Sequence, residues 1–142
     1  MSYLLDTNVI SELVRAKPHK NVLAWFGYMP DDALYLSVLT LGEIRKGVEL
    51  LSDSSRREKL RLWLEHDLRE WFGSRILPIG PDVADRWGRL LADAGRPVPS
   101  IDSLLAATAL HHGLRLVSRN VKDFDYAGVD VINPWEPLTS DR

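Results

Sequence analysis

The sequence predicts an α/β fold in which a mostly parallel, five-stranded sheet is flanked by helices. The first observation is that the strand-like segments are short and continuously apolar, as in "YLL" at residues 3–5. The second is that segments with apolar residues at helical spacing lie between them. Strands that are buried on both faces and separated by helices are typical of parallel sheets with helices on both sides.

The predicted elements alternate along the chain. Strands are predicted at residues 3–5, 34–38, 76–79, 114–118 and 129–132. Helices are predicted at residues 8–15, 19–29, 40–51, 54–72, 81–94 and 100–112, and most of them end close to a proline or a glycine. Because no repeat, low-complexity tract or linker divides the sequence, we expect a single domain over residues 1–142.

The composition excludes several classes of protein. The 142 residues are 45% hydrophobic, and 18 basic against 20 acidic side chains give a formal net charge of −2. The chain has no cysteine, which excludes disulfides and sulfur-ligated metals and fits a cytoplasmic location. No apolar run approaches the roughly 20 residues of a membrane span. Since the net charge is negative, contacts with nucleic acid are expected to be local.

Acidic side chains stand at several strand ends. Asp6 directly follows the first strand, Glu43 lies in the first turn of the helix after the second, and Asn120 and Asp123 follow the fourth. Ligands of parallel sheets bind beyond the carboxyl ends of the strands, so these residues are expected at one edge. By the same reasoning Asp102, whose helix leads into the fourth strand, is expected at the opposite edge.

This set of residues has the chemistry of a site for a hard cation. Clustered carboxylates repel one another unless a cation lies among them. Oxygen ligands without histidine or cysteine are those that Mg²⁺ and Mn²⁺ prefer, and such an ion can stabilise charge on a phosphodiester. Purely structural explanations also exist. Thr40 and Glu43 have the spacing of a capping box, and Asp102 follows a predicted N-cap, Ser100, where it would favour the helix dipole.

Four blocks of sequence resemble a known family. They are "LLDTNVISEL" (4–13), "LSVLTLGEIRKGVELL" (36–51), "SIDSLLAATALHHGLRLVSRNVKDF" (100–124) and "VDVINPW" (129–135). In order and at this spacing they resemble a PIN-domain ribonuclease, and more closely the VapC toxins of type II toxin–antitoxin systems in the FitB-like branch.

The resemblance implies a Rossmann-like PIN fold and endonucleolytic cleavage of RNA that depends on Mg²⁺ or Mn²⁺. Asp6, Glu43 and Asp102 match the first three acids of the family, whose third acid does reach the pocket. At the fourth position "SRN" replaces the frequent "TRD", so Asn120 stands where an aspartate is usual and Asp123 supplies the charge. Thr7 is expected to orient water or phosphate.

The resemblance also implies partners. A VapB- or FitA-like antitoxin is expected to block the pocket, and the helices, rich in Trp and Leu, predict a homodimer that forms a heterotetramer or larger assembly with it. RNA phosphates are expected at Arg45, Lys46, Arg119 and Lys122. A denser basic group is interpreted as a solvated helix face, and it comprises Arg56, Arg57, Lys59 and Arg61.

Two alternatives remain at the level of sequence. Phosphotransfer domains of the haloacid-dehalogenase or receiver type also begin with a strand that ends on aspartate. The former needs a second aspartate where Asn8 stands, and the latter needs neighbouring acids and a late lysine that are not evident. A catalytically weak PIN scaffold that binds protein or RNA is the non-enzymatic alternative.

Overall fold

A computed structural model describes residues 1–138 as short parallel strands connected by helices. The strands are β1 Tyr3–Leu5, β2 Leu34–Ser37, β3 Ile76–Leu77, β4 Arg115–Val117 and β5 Val131–Ile132. The helices are α1 Thr7–Glu12, α2 Lys20–Tyr28, α3 Val38–Glu49, α4 Ser54–Leu62, α5 Arg69–Phe72, α6 Pro81–Ala94 and α7 Ser100–His112. The last four residues of the expected 1–142 domain lie outside the described residues.

The five strands form one sheet in the order β3-β2-β1-β4-β5. Each of the four pairings is parallel, and Leu5 of β1 is in register with Val117 of β4. The predicted fold class is therefore confirmed. From β1 the chain builds outward through β2 and β3, and then crosses back to place β4 on the other side of β1. The carboxyl ends of β1 and β4 form the switch point, where a doubly wound sheet binds its ligands.

Both faces of the sheet are covered, which explains why its strands are continuously apolar. Tyr3 and Leu5 point into one hydrophobic cluster with helices α1, α2 and α3, whereas Leu4 points into a second with α6 and α7. Trp25 and Phe72 are fully buried in the first cluster and Phe124 in the second, so aromatic residues contribute to the core on both sides of the sheet. No helix among the described residues is long and apolar enough to cross a membrane.

The start of α3 differs from the prediction. The helix begins at Val38, two residues before the predicted start, because the Ser37 hydroxyl caps it by accepting a hydrogen bond from the Leu39 amide at 3.1 Å. Thr40 is fully buried inside the helix, and its hydroxyl has no hydrogen-bond partner within residues 1–138. The predicted capping box of Thr40 and Glu43 is therefore wrong, and Glu43 lies in the second turn.

Other boundaries differ for local reasons. The predicted helix 54–72 is continuous in path but contains a π-helical turn, Trp63–Leu68, between α4 and α5. Pro99 is the N-cap residue of α7, so the predicted cap at Ser100 is wrong. The residues after β4 form a short 3₁₀ turn, Val121–Phe124. The outer strands β3 and β5 have two residues each and are shorter than predicted, since an edge strand pairs on one side only.

Candidate functional site

Asp6 lies at the switch point, where it ends β1 and caps α1. One carboxylate oxygen accepts a hydrogen bond from the Thr7 amide at 2.8 Å, and the other accepts one from the Ser118 hydroxyl at 2.7 Å. The side chain is buried, and the residue is only 9% exposed. Burial raises the pKa of Asp6 above its ordinary value, against the two hydrogen bonds, which lower it. A carboxylate fixed in this way has a defined orientation and retains lone pairs for a further ligand.

Ser118 connects the ends of β1 and β4, and the sequence did not single it out. Its hydroxyl donates to Asp6 and accepts from the Asn120 amide at 3.0 Å and from the Asn8 side chain at 3.4 Å. Asn8 in turn accepts from the Arg119 amide at 3.3 Å. A signal was present, because Ser118 stands one residue beyond β4 just as Asp6 stands one residue beyond β1, and these strands are in register.

Glu43 reaches the site from α3 and is held by Thr7. The Thr7 hydroxyl donates to one Glu43 carboxylate oxygen at 2.5 Å, which joins the first turn of α1 to α3. Glu43 is exposed, and nothing in α3 uses it as a cap. Thr7 therefore orients this acid, a contact that the sequence, which predicted a role for Thr7 toward water or phosphate, did not reveal.

Asp102 lies within electrostatic range of Asp6 and Glu43, and Asp123 lies within range of Asp6 and Asp102. The pKa of Asp102 is raised to about 6, first by burial and then by the charges of Asp6, Asp123 and Glu43. The four acids therefore lie in one region. The topological expectation that placed Asp102 at the opposite edge is wrong. Helix α7 runs antiparallel to the strand that it precedes, so its first turn lies at the carboxyl edge of the sheet.

Asn120 is at the same edge, but only its backbone is fixed. Its amide bonds the Ser118 hydroxyl, its carbonyl accepts from the Asp123 amide at 3.0 Å, and its side chain is exposed and caps nothing. The turn that begins after Asn120 thus carries Asp123 toward Asp6 and Asp102, whose pKa values respond to its charge.

The acidic residues suit a divalent cation in their chemistry. All of the donors are oxygens, and burial together with the charges of the other three acids raises the pKa of Asp102 to about 6, a repulsion that a cation would relieve. Within the described residues, no three acidic or histidine side chains are already spaced as metal ligands. Mutual repulsion separates carboxylates in the absence of an ion, so binding would draw these side chains inward.

The predicted RNA-binding residues divide into two groups. Arg45 forms an ion pair with Glu65 at 2.7 Å and a longer one with Glu49 at 3.9 Å, so its charge is already compensated. Lys46, Arg119 and Lys122 are exposed, and the Arg119 guanidinium lies over the Trp135 ring at 5.2 Å from its centroid. Of the basic residues predicted to bind phosphate, these three keep a positive charge that no ion pair compensates within residues 1–138.

The basic group on α4 makes contacts within the chain. Arg61 pairs with Glu58 and with Glu65 at 2.5 and 2.9 Å, while Arg56 and Arg57 donate to the carbonyls of Val14 and Leu51. The interpretation of this group as a solvated helix face holds for Lys59, which is exposed. The arginines also tie α4 to the elements before it.

Comparisons with known proteins agree on one family. The family model described as PIN domain matches residues 3–129. The VapC ribonuclease Y4jK of Sinorhizobium fredii is 39% identical over 137 residues, which covers 94% of this chain and 98% of that protein. The crystal structure of FitAcB from Neisseria gonorrhoeae matches with a TM-score of 0.88 at 36% identity, over 94% of this chain and 99% of the other.

A toxin–antitoxin complex from Klebsiella pneumoniae matches more distantly. Its TM-score is 0.66 at 26% identity, over 96% of this chain and all of that one (100%). The family model spans every block of sequence that surrounds Asp6, Glu43, Asp102 and Asp123. The chain belongs to the PIN-domain family.

Proposed function

We propose that this protein is a PIN-domain endoribonuclease that acts as the toxin of a VapBC-type toxin–antitoxin system. The observation that carries the proposal is that Asp102, in the first turn of α7, responds to the charges of three other acids, which come from the end of β1, from α3 and from the turn after β4. This chain matches 98% of the relative that is named as a VapC ribonuclease, so we expect that protein to have the same arrangement of elements. Cleavage of cellular RNA places its action in the cytoplasm.

In this proposal Mg²⁺ or Mn²⁺ binds to Asp6, Glu43, Asp102 and Asp123. The oxygen of the Asn120 side-chain amide is a weaker donor. Such an ion supplies the positive charge that stabilises the negative charge developing on a phosphodiester. The protein's own contribution is orientation. Ser118 and the Thr7 amide fix Asp6, and the Thr7 hydroxyl fixes one oxygen of Glu43, which leaves its other oxygen free.

Substrate binding is assigned to the exposed basic residues of the same edge. Lys46, Arg119 and Lys122 are proposed to contact RNA phosphates, whereas Arg45 is withdrawn from that role by its pairing with Glu65. Phosphate contacts position a strand but carry no sequence information. Recognition of the cleaved sequence must therefore come from other contacts.

The proposed partners are an antitoxin of the VapB or FitA type and a second copy of this chain. The structural match to a toxin–antitoxin complex supports the first. The helices rich in Trp and Leu support the second, and exposed Leu23 (46%), Tyr28 (65%) and Leu62 (45%) are apolar side chains that such an interface would cover. Light scattering of the purified chain tests dimerisation, and a monomer at micromolar concentration would contradict it.

The toxin assignment is tested by expression in a bacterial host. Induction of the parent chain should slow growth, co-expression of the small protein encoded beside it should restore growth, and Asp6→Asn should be harmless at equal abundance. Sequencing of RNA ends after brief induction should find new cleavage sites with the parent alone. Harmless accumulation of soluble parent would overturn the toxin assignment.

A catalytically weak scaffold is the second candidate. It is favoured by Asn120 in the usual aspartate position and by the spread of the acids, in which no three of the described side chains are spaced as ligands. Calorimetric titration with Mn²⁺ separates the two. An enzyme should bind the ion and lose most of that affinity in Asp102→Asn, whereas equal and negligible binding by both would favour the scaffold.

A further inference from the structure

A cavity lies beside the acidic centre, between α6 and the residues that follow the 3₁₀ turn. Its volume is about 760 Å³, within the range of roughly 300–1,000 Å³ that is usual for ligand sites. Arg86, Arg89 and Arg96 line it together with Tyr126 and two aspartates, Asp93 and Asp125. None of these residues belongs to the site described above.

The cavity and the acidic centre adjoin at Tyr126. This half-buried tyrosine lines the cavity, and its phenol responds to the charges of Arg96 on one side and of Asp102 and Asp123 on the other. Arg96 follows α6 in the connection to α7, whose first turn carries Asp102. Tyr126 therefore places the lining of the cavity within electrostatic range of Asp102 and Asp123.

The cationic side chains of the cavity are not used by the fold. Within residues 1–138 neither Arg86 nor Arg96 forms an ion pair, and Arg89 has only an exposed pair with Asp85 at 3.1 Å. By contrast, Arg45 and Arg61 on the other side of the sheet are paired with glutamates. A guanidinium that remains free beside a polar cavity is suited to phosphate, which its planar fork binds through two hydrogen bonds.

We propose that this cavity holds the single-stranded RNA next to the cleaved bond, with Arg86 and Arg96 on its phosphates and Tyr126 against a base. This inference rests on the proposed function and extends it to a binding site outside the acidic centre. Aromatic rings stack on any base, and arginines contact any phosphate, so the site would add affinity rather than sequence preference. Asp93 opposes the arginines and limits that affinity.

The test measures RNA binding by fluorescence anisotropy in EDTA, where the RNA is not cut. The probe is a labelled single strand of roughly 12 nucleotides, the length that binding grooves of this kind accommodate. Arg86→Gln and Arg96→Gln should each weaken binding about fivefold and reduce the slope of log affinity against log salt by about 0.7, the loss of one phosphate contact. Arg69→Gln, exposed on the opposite face, is the matched control and should bind as the parent does.

Three further variants separate binding from folding. Asp93→Asn should tighten RNA binding, a gain that damage to the fold cannot produce. Tyr126→Phe should bind as the parent does and Tyr126→Leu more weakly, because only the former keeps the ring. If Arg86→Gln and Arg96→Gln bind RNA like Arg69→Gln, the site is wrong. If those two instead lose binding to polyglutamate while RNA binding is unchanged, an acidic protein segment is the occupant and the proposal is overturned.

RNA cleavage by the parent shows whether only the proposed RNA-binding cavity is wrong or the proposed ribonuclease function as well. A parent that cuts RNA with Mn²⁺, together with arginine variants that bind and cut equally well, removes only the second site. A parent that neither binds nor cuts RNA removes the ribonuclease assignment and this site with it.

Discussion

Asp6 and Ser118 are a carboxylate and a hydroxyl that occupy equivalent places on neighbouring strands. Because β1 and β4 are parallel and in register, the first residue beyond each strand meets the other across the switch point. The 2.7 Å hydrogen bond between them is buried and joins residues 112 positions apart in the chain. Asp6 was predictable from a carboxylate that ends an apolar strand. Ser118 was not, since a serine after a strand is common and its partner became clear only with strand order.

Ser118→Ala should therefore affect both stability and catalysis. It removes the short hydrogen bond to one oxygen of a buried carboxylate, which then keeps only the longer one from the Asn8 side chain at 3.4 Å, so unfolding free energy should fall by about 1–3 kcal/mol. The cleavage rate should fall about tenfold or more, as when the hydrogen-bonding partner of a metal ligand is removed. Ser118→Thr keeps the hydroxyl and should restore most activity. The assays are denaturant unfolding and RNA cleavage with Mn²⁺.

Thr108→Ala is the matched control for that experiment. Thr108 is also fully buried and its hydroxyl donates to the Leu104 carbonyl, but it lies in the middle of α7, away from the first turn that carries Asp102. It should lose stability without a comparable loss of turnover by the folded protein. Equal loss of turnover in both alanine variants would mean that Ser118 acts only through the fold.

Asp102 predicts a pH dependence of stability in the absence of metal. Its pKa is about 6 in the folded chain, against an ordinary 3.8, so the folded state binds its proton more tightly than the unfolded state. Stability from this group is therefore greatest at low pH and is lost as pH rises from about 4 to about 6. In EDTA, the melting temperature of Asp102→Asn should be close to that of the parent near pH 4. It should exceed the parent's melting temperature by an increasing amount as the pH rises toward 7.

Thermal melts of both proteins across that range check this prediction. Saturating Mn²⁺ at neutral pH should reverse the order, because an ion that binds only the folded parent stabilises it. A melting difference that is the same at every pH would show that the charge of Asp102 is not under repulsion from its neighbours.

At the level of elements, the start of α3 determines what Glu43 is for. The sequence permits two caps, Ser37 and Thr40, and the spacing of Thr40 to Glu43 favours the wrong one. Ser37 prevails because β2 ends there and the chain turns directly into the helix, which buries Thr40. Once the helix begins at Val38, Glu43 has no capping role, and its contact with Thr7 links α3 to the site.

Two substitutions separate these possibilities. Ser37→Ala removes the observed cap and should cost about 1 kcal/mol of unfolding free energy. Thr40→Val replaces a buried hydroxyl that has no partner among residues 1–138 with a methyl group, and should raise stability by about 1 kcal/mol. Denaturant unfolding measures both. A loss on Thr40→Val similar to that on Ser37→Ala would restore the capping box.

For the whole molecule, periodicity predicted the element types and their order because each face of the sheet has its own hydrophobic cluster. It did not predict strand order, and several features of the site depend on that order or on pairing between elements. The compensation of Arg45 by Glu65 is one, since these residues lie on α3 and in the π-helical turn. The position of Asp102 could have been predicted from the direction of α7 alone. A helix that connects two parallel strands runs antiparallel to them, so its first turn lies at their carboxyl ends.

The central claim is that acids from four elements form one metal-dependent ribonuclease centre. The most direct measurement is the RNA cleavage rate against Mn²⁺ concentration for the parent, Asp6→Asn and Asp102→Asn, with exposed Asp67→Asn as control. The parent and the control should cut RNA with a rate that saturates with Mn²⁺ and is lost in EDTA. The two site variants should be slower by roughly a hundredfold or more, and Asp102→Asn should melt no lower than the parent in EDTA. Site variants that cut as fast as the parent but melt at lower temperature would contradict the claim and make these carboxylates structural.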